Sequence, residues 1–308
     1  MDRATFENLP TREVARLVRE TGPKVCGFPI NGTRRWFLLE HGPPAGDEGV
    51  ASYIKAVSDK YIELLQMLFD HGIDTVLAPV FGPDLLERGE GYRAMMEEAL
   101  VGFARNRAFL DFYDDYDLRV RVYGDAGRYL EGTRYAHALD AYEAMAQRTA
   151  THEGQRLFYG VCAQDPTETI AEFSVSFYQT HDRPPSRREV IKMYYGEYVS
   201  PVDLFIGFAD RHAVFDMPLI ATGREDLYFT VSPSPYLDVH SLRSILFDHL
   251  YARQSSPQYE KLGEEDWEHM RAFYTANRGN VQGVGVERQG IWFPLPQVAL
   301  IDDLWSQP

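Results

Sequence analysis

KVCGFPINGTRRWF, residues 24–37, joins a short apolar run to a glycine turn that carries two arginines. Val25 to Ile30 has the length of a strand and is almost continuously apolar, the pattern of a strand buried on both faces of a parallel sheet. In such sheets ligands collect beyond the carboxyl ends of the strands, where a loop leads into a helix. The segment from Pro29 to Gly49 is therefore the first place where a site is expected.

The same strand pattern recurs at 74–81, 118–124, 156–163, 202–208 and 227–232. Between these runs lie amphipathic stretches. Ile54, Val57, Tyr61, Leu64, Leu65 and Leu68 recur at helical spacing, and His71-Gly72 reads as a cationic end followed by a terminating glycine. Residues 84–112 and 167–179 read as helices, Ser186 and Glu189 form a capping box at the start of another, and further helices are expected near 238–252 and 264–276. Strand and helix alternate about six times, which predicts an α/β fold: one domain over 1–308 with a central, mostly parallel sheet flanked by helices. Residues 1–23 are its N-terminal helical segment, and 233–308 supply C-terminal helices and a closing strand ending in VQGVGVERQGIWF.

The chain has 31 basic and 46 acidic residues, a net charge of −15. The resulting field opposes binding to nucleic acid or anionic membranes, so any anion site must be a local basic pocket. Cys26 and Cys162 both lie in apolar runs and read as buried, reduced thiols. The first 20 residues carry charges throughout, and no stretch approaches the ~18 apolar residues of a membrane span. A cytoplasmic protein without stable membrane insertion is expected.

The turn itself suits a diphosphate. Gly32 allows the backbone close to phosphate oxygens, Thr33 offers a hydroxyl, and Arg34 and Arg35 provide planar forks that bind phosphate bidentately. Exposed N–H groups in such a turn form an anion nest. Composition alone leaves a solvated basic turn as the alternative. Asp111, Asp114, Asp115 and Asp117 invite comparison with the aspartate-rich box of all-helical terpene cyclases, but their place before a strand favours a solvated turn.

Asn31 to Trp36 resembles the D-G-N-G-R-W signature of the cis-prenyltransferase family, with Gly32, Arg35 and Trp36 in register. A second stretch, Asp203 to Phe229, is similar without a gap to the family's D-L-x-I-R-T-S-G-E-x-R-x-S-x-F segment and shares Asp203, Leu204, Ile206 and Leu227-Tyr228-Phe229. In chain-elongating members that segment holds the acceptor diphosphate and helps to bind Mg²⁺. Here its arginines, serine and glutamate are replaced by Gly207, Arg211, Ala213 and Phe215. One diphosphate site kept and the other erased resembles the branch of diterpene synthases and prenyl-nucleoside transferases. Further shared blocks are MLFDHGIDTVLAPVFGPDLLERG, PPSRREVIKMYYGEYV and LYFTVSPSPY.

The resemblance implies an enzyme that ionises a cyclic C20 allylic diphosphate of halimadienyl or kolavenyl type, releases diphosphate, and captures the cation with water or a nucleoside. It assigns diphosphate binding to Gly32, Thr33, Arg34 and Arg35, and catalysis to Asn31, Tyr53 and Tyr92; each tyrosine can equally be a packing residue. It also implies Mg²⁺ at the Asn31 position, although an amide is a poor Mg²⁺ ligand where the family has aspartate. Three explanations of Asn31 stay open: catalysis without the carboxylate, a substrate-trapping replacement, or binding without turnover. A homodimer is implied, with 167–200 and 202–208 as candidate interface. Two alternatives remain, chain elongation and a non-catalytic prenyl-diphosphate-binding subunit.

Overall fold

The computed structural model describes residues 1–43, 46–82, 90–208, 216–253 and 259–294, with backbone alone for 47 and 90–97. Six strands form the central sheet: β1 (Val25–Gly27), β2 (Thr75–Phe81), β3 (Arg119–Tyr123), β4 (Arg156–Val161), β5 (Leu204–Phe208) and β6 (Asp226–Thr230). Their order is β3-β4-β2-β1-β5-β6, and every pair is parallel. All six apolar runs are strands of this sheet. β1 is short, yet it lies between β2 and β5 near the middle.

Helices cover both faces. In chain order they are α1 (Arg3–Glu7), α2 (Thr11–Glu20), α3 (Thr33–His41), α4 (Gly46–Asp70), α5 (Glu90–Arg105), α6 (Arg107–Asp115), α7 (Ala126–Leu130), α8 (His137–Arg148), α9 (Thr167–His181), α10 (Arg187–Tyr195), α11 (Val239–Phe247) and α12 (Glu264–Ala276). Alternate strand residues serve the two layers. Val76, Ala78, Leu204 and Ile206 join the core with Leu64, Leu65 and Leu68 of α4, while Leu77, Phe158 and Phe205 join the core with Ile191, Tyr194 and Tyr195 of α10. Each fully buried Leu or Phe contributes on the order of 1.5–3 kcal/mol by leaving water.

Three details differ from the sequence reading. The helix expected over 84–112 is broken: Asn106, extended at ψ 130°, accepts from the Ala108 N–H at 2.9 Å and caps a new helix. Side-chain capping competes with helix continuation, which is why Asn favours starts over interiors. The expected closing strand is a hairpin, β7 (Gly285–Arg288) with β8 (Ile291–Pro294), whose strands pair with each other in a small antiparallel sheet. His71, read as the cationic end of α4, is buried, and burial lowers its pKa below the ordinary 6.5.

The capping box at Ser186 and Glu189 is present, and Cys26 and Cys162 are free and buried, as expected. The aspartates at 111–117 close α6 and lead into β3, with Asp114 paired to Arg148.

His71 meets an arginine that also holds the N-terminal segment. Its Nδ1 faces the Met67 carbonyl at 2.7 Å, so that nitrogen carries the proton and Nε2 accepts from Arg243 Nε at 3.3 Å. Arg243 also donates to the Glu7 carbonyl and to Thr11 Oγ1. Protonating His71 would put a second cation against Arg243. Because the folded-state pKa lies below 6.5, the unfolded chain binds the proton more readily, and stability present above pH 6.5 is lost as pH falls through the lower folded value. The urea midpoint is expected to fall between pH 7 and pH 5, and to fall less in His71→Gln; equal slopes in the two proteins would contradict this.

Candidate active site

The glycine turn sits at the carboxyl end of β1. Phe28 extends the strand, its N–H donating to the Leu77 carbonyl at 2.8 Å, and Asn31 and Gly32 then turn the chain into α3. Gly32 has φ +77°, and a Cβ there would lie 2.8 Å from Pro233 Cβ and 3.2 Å from Phe208 Cε1. Both the backbone angle and the close approach require glycine. The Trp36 N–H opens the helical ladder by donating to the Gly32 carbonyl at 2.9 Å, and no side chain caps the helix start. An N-terminus left in that state presents N–H donors and the positive end of the helix dipole to an anion.

The turn from Asn31 to Arg34 lines a cavity of about 370 Å³. Arg34 is exposed and Asn31, Gly32 and Thr33 are half-buried, whereas Phe103, Phe109 and Tyr159 are buried, which puts the turn at the mouth; Arg34 is the one cationic side chain among the described lining residues. The walls are apolar and aromatic. Tyr53, Ile54, Val57, Ser58 and Tyr61 come from α4, Val80 and Phe81 from β2, Phe103 from α5, Phe109 from α6 and Tyr159 from β4. Phe103 lies 4.4 Å from Tyr159 and stacks on Phe81 at 6.4 Å, centroid to centroid.

Hydrogen bonds fix the phenols. The Tyr61 hydroxyl donates to the Ile30 carbonyl at 3.1 Å, directly before Asn31. The Tyr113 hydroxyl donates to the Phe103 carbonyl at 2.8 Å and is hydrogen-bonded to the Tyr159 hydroxyl at 2.9 Å. Burial pushes the pKa values of Tyr61, Tyr113 and Tyr159 up, so all three are neutral at physiological pH. The described residues of the deep wall are thus uncharged and offer π faces, a surface suited to a carbocation.

Of the residues proposed from sequence, the structure brings Asn31, Gly32, Thr33, Arg34 and Tyr53 together around this cavity. Tyr53 packs edge-on against Phe37 at 5.0 Å. Arg35 is half-buried with its guanidinium 5.3 Å above the Phe208 ring, beside the mouth rather than among the lining residues. The Tyr92 side chain lies outside the described residues.

Sequence reasoning missed Tyr61, Tyr159 and Phe103. Tyr61 carried a signal, since it stands eight residues after Tyr53 and so shares its helix face. Tyr159, in the middle of an apolar strand, carried none.

The glycine expected to replace an arginine of the second site has a physical counterpart. Gly207 lies in β5, and a Cβ there would meet Phe205 Cε1 at 2.7 Å and Phe229 Cδ1 at 3.1 Å. Two rings fill the room that an arginine would need. Asp203 is structural: its carboxylate accepts from the Val25 N–H at 2.8 Å and joins β5 to β1. Arg211, Ala213 and Phe215 lie outside the described residues.

A protein-held Mg²⁺ fits this lining poorly. Mg²⁺ binds through carboxylates and phosphates, and no Asp or Glu occurs among the described lining residues. No cluster of three His, Cys, Asp or Glu suited to a metal occurs among the described residues either.

No family model matches the chain. Tuberculosinyl adenosine transferase of Mycobacterium tuberculosis is 41% identical over 291 residues, 94% of this chain and 96% of that protein. The (+)-kolavelool synthase of Herpetosiphon aurantiacus is 24% identical over 290 residues, 90% and 91% of the two chains. Among solved structures, lavandulyl diphosphate synthase from Lavandula x intermedia, in complex with dimethylallyl diphosphate, superposes with a TM-score of 0.61 at 14% identity, covering 75% of this chain and 97% of that one. A probable undecaprenyl diphosphate synthase from Campylobacter jejuni gives 0.53 at 13% identity, with coverage of 77% and 98%. These two likenesses bear on the fold alone.

Proposed function

Because the chain belongs to the cis-prenyltransferase family, in the branch of tuberculosinyl adenosine transferase and (+)-kolavelool synthase, we propose that it ionises a cyclic C20 allylic diphosphate and captures the cation with water or a nucleoside. One observation carries the reading: an uncapped helix N-terminus and Arg34 stand at the mouth of a cavity whose other described lining residues are aromatic or uncharged. Its volume of about 370 Å³ lies within the range of ligand pockets.

The allylic C–O bond breaks and its electron pair leaves with the diphosphate. Charge growing on the leaving oxygens is met by the N–H groups of α3 and by Arg34, with Arg35 beside them; the Asn31 amide can donate to the same oxygens. The cation is left facing Phe81, Phe103 and the tyrosines, which disperse its charge without supplying a nucleophilic anion. Tyr53 orients the attacking water or nucleoside nitrogen. The proton lost on capture goes to the diphosphate, the strongest base then in the cavity. Mg²⁺ would neutralise part of the leaving group's charge, but with no carboxylate among the described lining residues to hold it, this reading gives that part to the arginine and the helix N-terminus.

Chain elongation needs a second diphosphate site, and the rings packed on Gly207 speak against one. A homodimer through α9 is part of the same reading. That helix buries no side chain completely within its own chain and exposes Val175 and Tyr178. No helix among the described residues is long and apolar enough to cross a membrane.

Incubation with geranylgeranyl, kolavenyl and halimadienyl-type diphosphates, with and without adenosine and Mg²⁺, tests the proposal. Diphosphate release from a cyclic substrate, with an alcohol or nucleoside adduct by mass spectrometry, is expected. Release from none would overturn it.

A further inference from the structure

Outside the cavity, the segment that follows β6 grips the loop that carries Asn31. The Ser234 hydroxyl accepts from the Asn31 N–H at 3.1 Å and donates to the Pro29 carbonyl at 3.4 Å. Its own N–H donates to the Asn31 carbonyl at 3.0 Å, and the preceding Pro233 packs against Gly32. Ser234 is 1% exposed and does not line the cavity. The segment is held in turn by Thr230, whose hydroxyl bridges the Ser232 carbonyl at 2.8 Å and the Gly207 carbonyl at 3.3 Å.

We infer that Ser234 is a positioning residue for the reaction: it sets where Asn31 and the start of α3 stand relative to the diphosphate, without touching substrate. The inference rests on the proposed diphosphate chemistry. Its physical basis is hydrogen-bond accounting. Pro29, Ile30 and Asn31 run past the end of the sheet ladder, so their main-chain groups need partners from elsewhere. Ile30 finds Tyr61 from the cavity side, and Pro29 and Asn31 find Ser234 from the other side. Removing one hydroxyl leaves an N–H and a carbonyl searching for new acceptors and donors, and the loop shifts. A shift of about 1 Å in a positioning group costs about 100-fold in rate, far more than a loop needed only for stability would show.

The test compares the parent protein with Ser234→Ala and Ser234→Cys. Inorganic pyrophosphate binding is measured by calorimetry, kcat and KM on the substrate that the parent turns over, and folding by circular dichroism well below the melting range. Ser234→Ala is expected to weaken pyrophosphate binding by about 10-fold and to lower kcat by about 10- to 100-fold. Ser234→Cys, with a weak donor and acceptor of similar size, should fall between the two, and it carries the comparison alone if the alanine variant does not fold. Pyrophosphate affinity and kcat within twofold of the parent, or equal losses in the two variants, would overturn the positioning role while leaving the diphosphate chemistry intact. A parent that neither binds pyrophosphate nor releases it from any substrate overturns the chemistry, and the inference with it.

Discussion

Alanine in place of Arg34 is expected to slow diphosphate release by about 100-fold or more, with kcat falling further than KM rises. Arg34 is the one cation among the described residues that line the cavity, and the walls behind it are neutral phenols and hydrocarbon. Its charge is therefore not duplicated among those described residues. Before ionisation the diphosphate is already an anion, so Arg34 contributes to binding as well. Further negative charge reaches the leaving oxygens as the C–O bond stretches, and that increment is what a preorganised donor stabilises. Arg34→Lys should recover part of the loss, because a point charge remains while the two-pronged geometry is gone. Single-turnover measurement of pyrophosphate release separates the two effects. An alanine variant within threefold of the parent would remove Arg34 from the mechanism and shift the burden to Arg35.

Gly32→Ala should cost stability and activity together. The φ of +77° alone costs a residue with a Cβ about 1–2 kcal/mol. The new methyl would also lie 2.8 Å from Pro233 Cβ, so either the segment at Pro233 and Ser234 or the start of α3 must move. Gly223 provides the control, with the same φ of +77° but nothing within 4 Å of the point a methyl would occupy. Gly223→Ala is expected to lower the urea midpoint with kcat/KM unchanged. Gly32→Ala should lower the midpoint further and reduce kcat/KM by at least about 10-fold, as a displaced positioning element does. Equal kinetics in the two variants would show that the contact with Pro233 is slack.

Much of the fold was legible because it is written locally. Six runs such as VCGFPI and RLFYGVCA are mostly apolar, a pattern forced by helices on both faces of a sheet, and each became a parallel strand. Ser186 and Glu189 announced a helix start three residues apart, and the capping box is there. The break at Asn106 was also local but was outweighed by the helical periodicity around it. His71 was misread for a different reason. Its position after α4 suggested a cation, whereas burial lowers its pKa, and Arg243, 172 residues away, adds to the effect.

Sequence alone determined the alternation of strand and helix, the turn at Asn31-Gly32 and the chemical character of Thr33, Arg34 and Arg35. Periodicity, glycine and charge act over a few residues and need no partner to be read. Tertiary structure decided which groups meet. It set Arg34 at the mouth and Arg35 on the Phe208 ring, brought Tyr61 and Tyr159 into the wall, closed the Gly207 side with two rings, and put Ser234 on the Asn31 N–H from 203 residues away. Those contacts follow from packing β1 between β2 and β5. A parallel sheet joins strands that are distant in sequence, so its carboxyl edge gathers loops that no local pattern links.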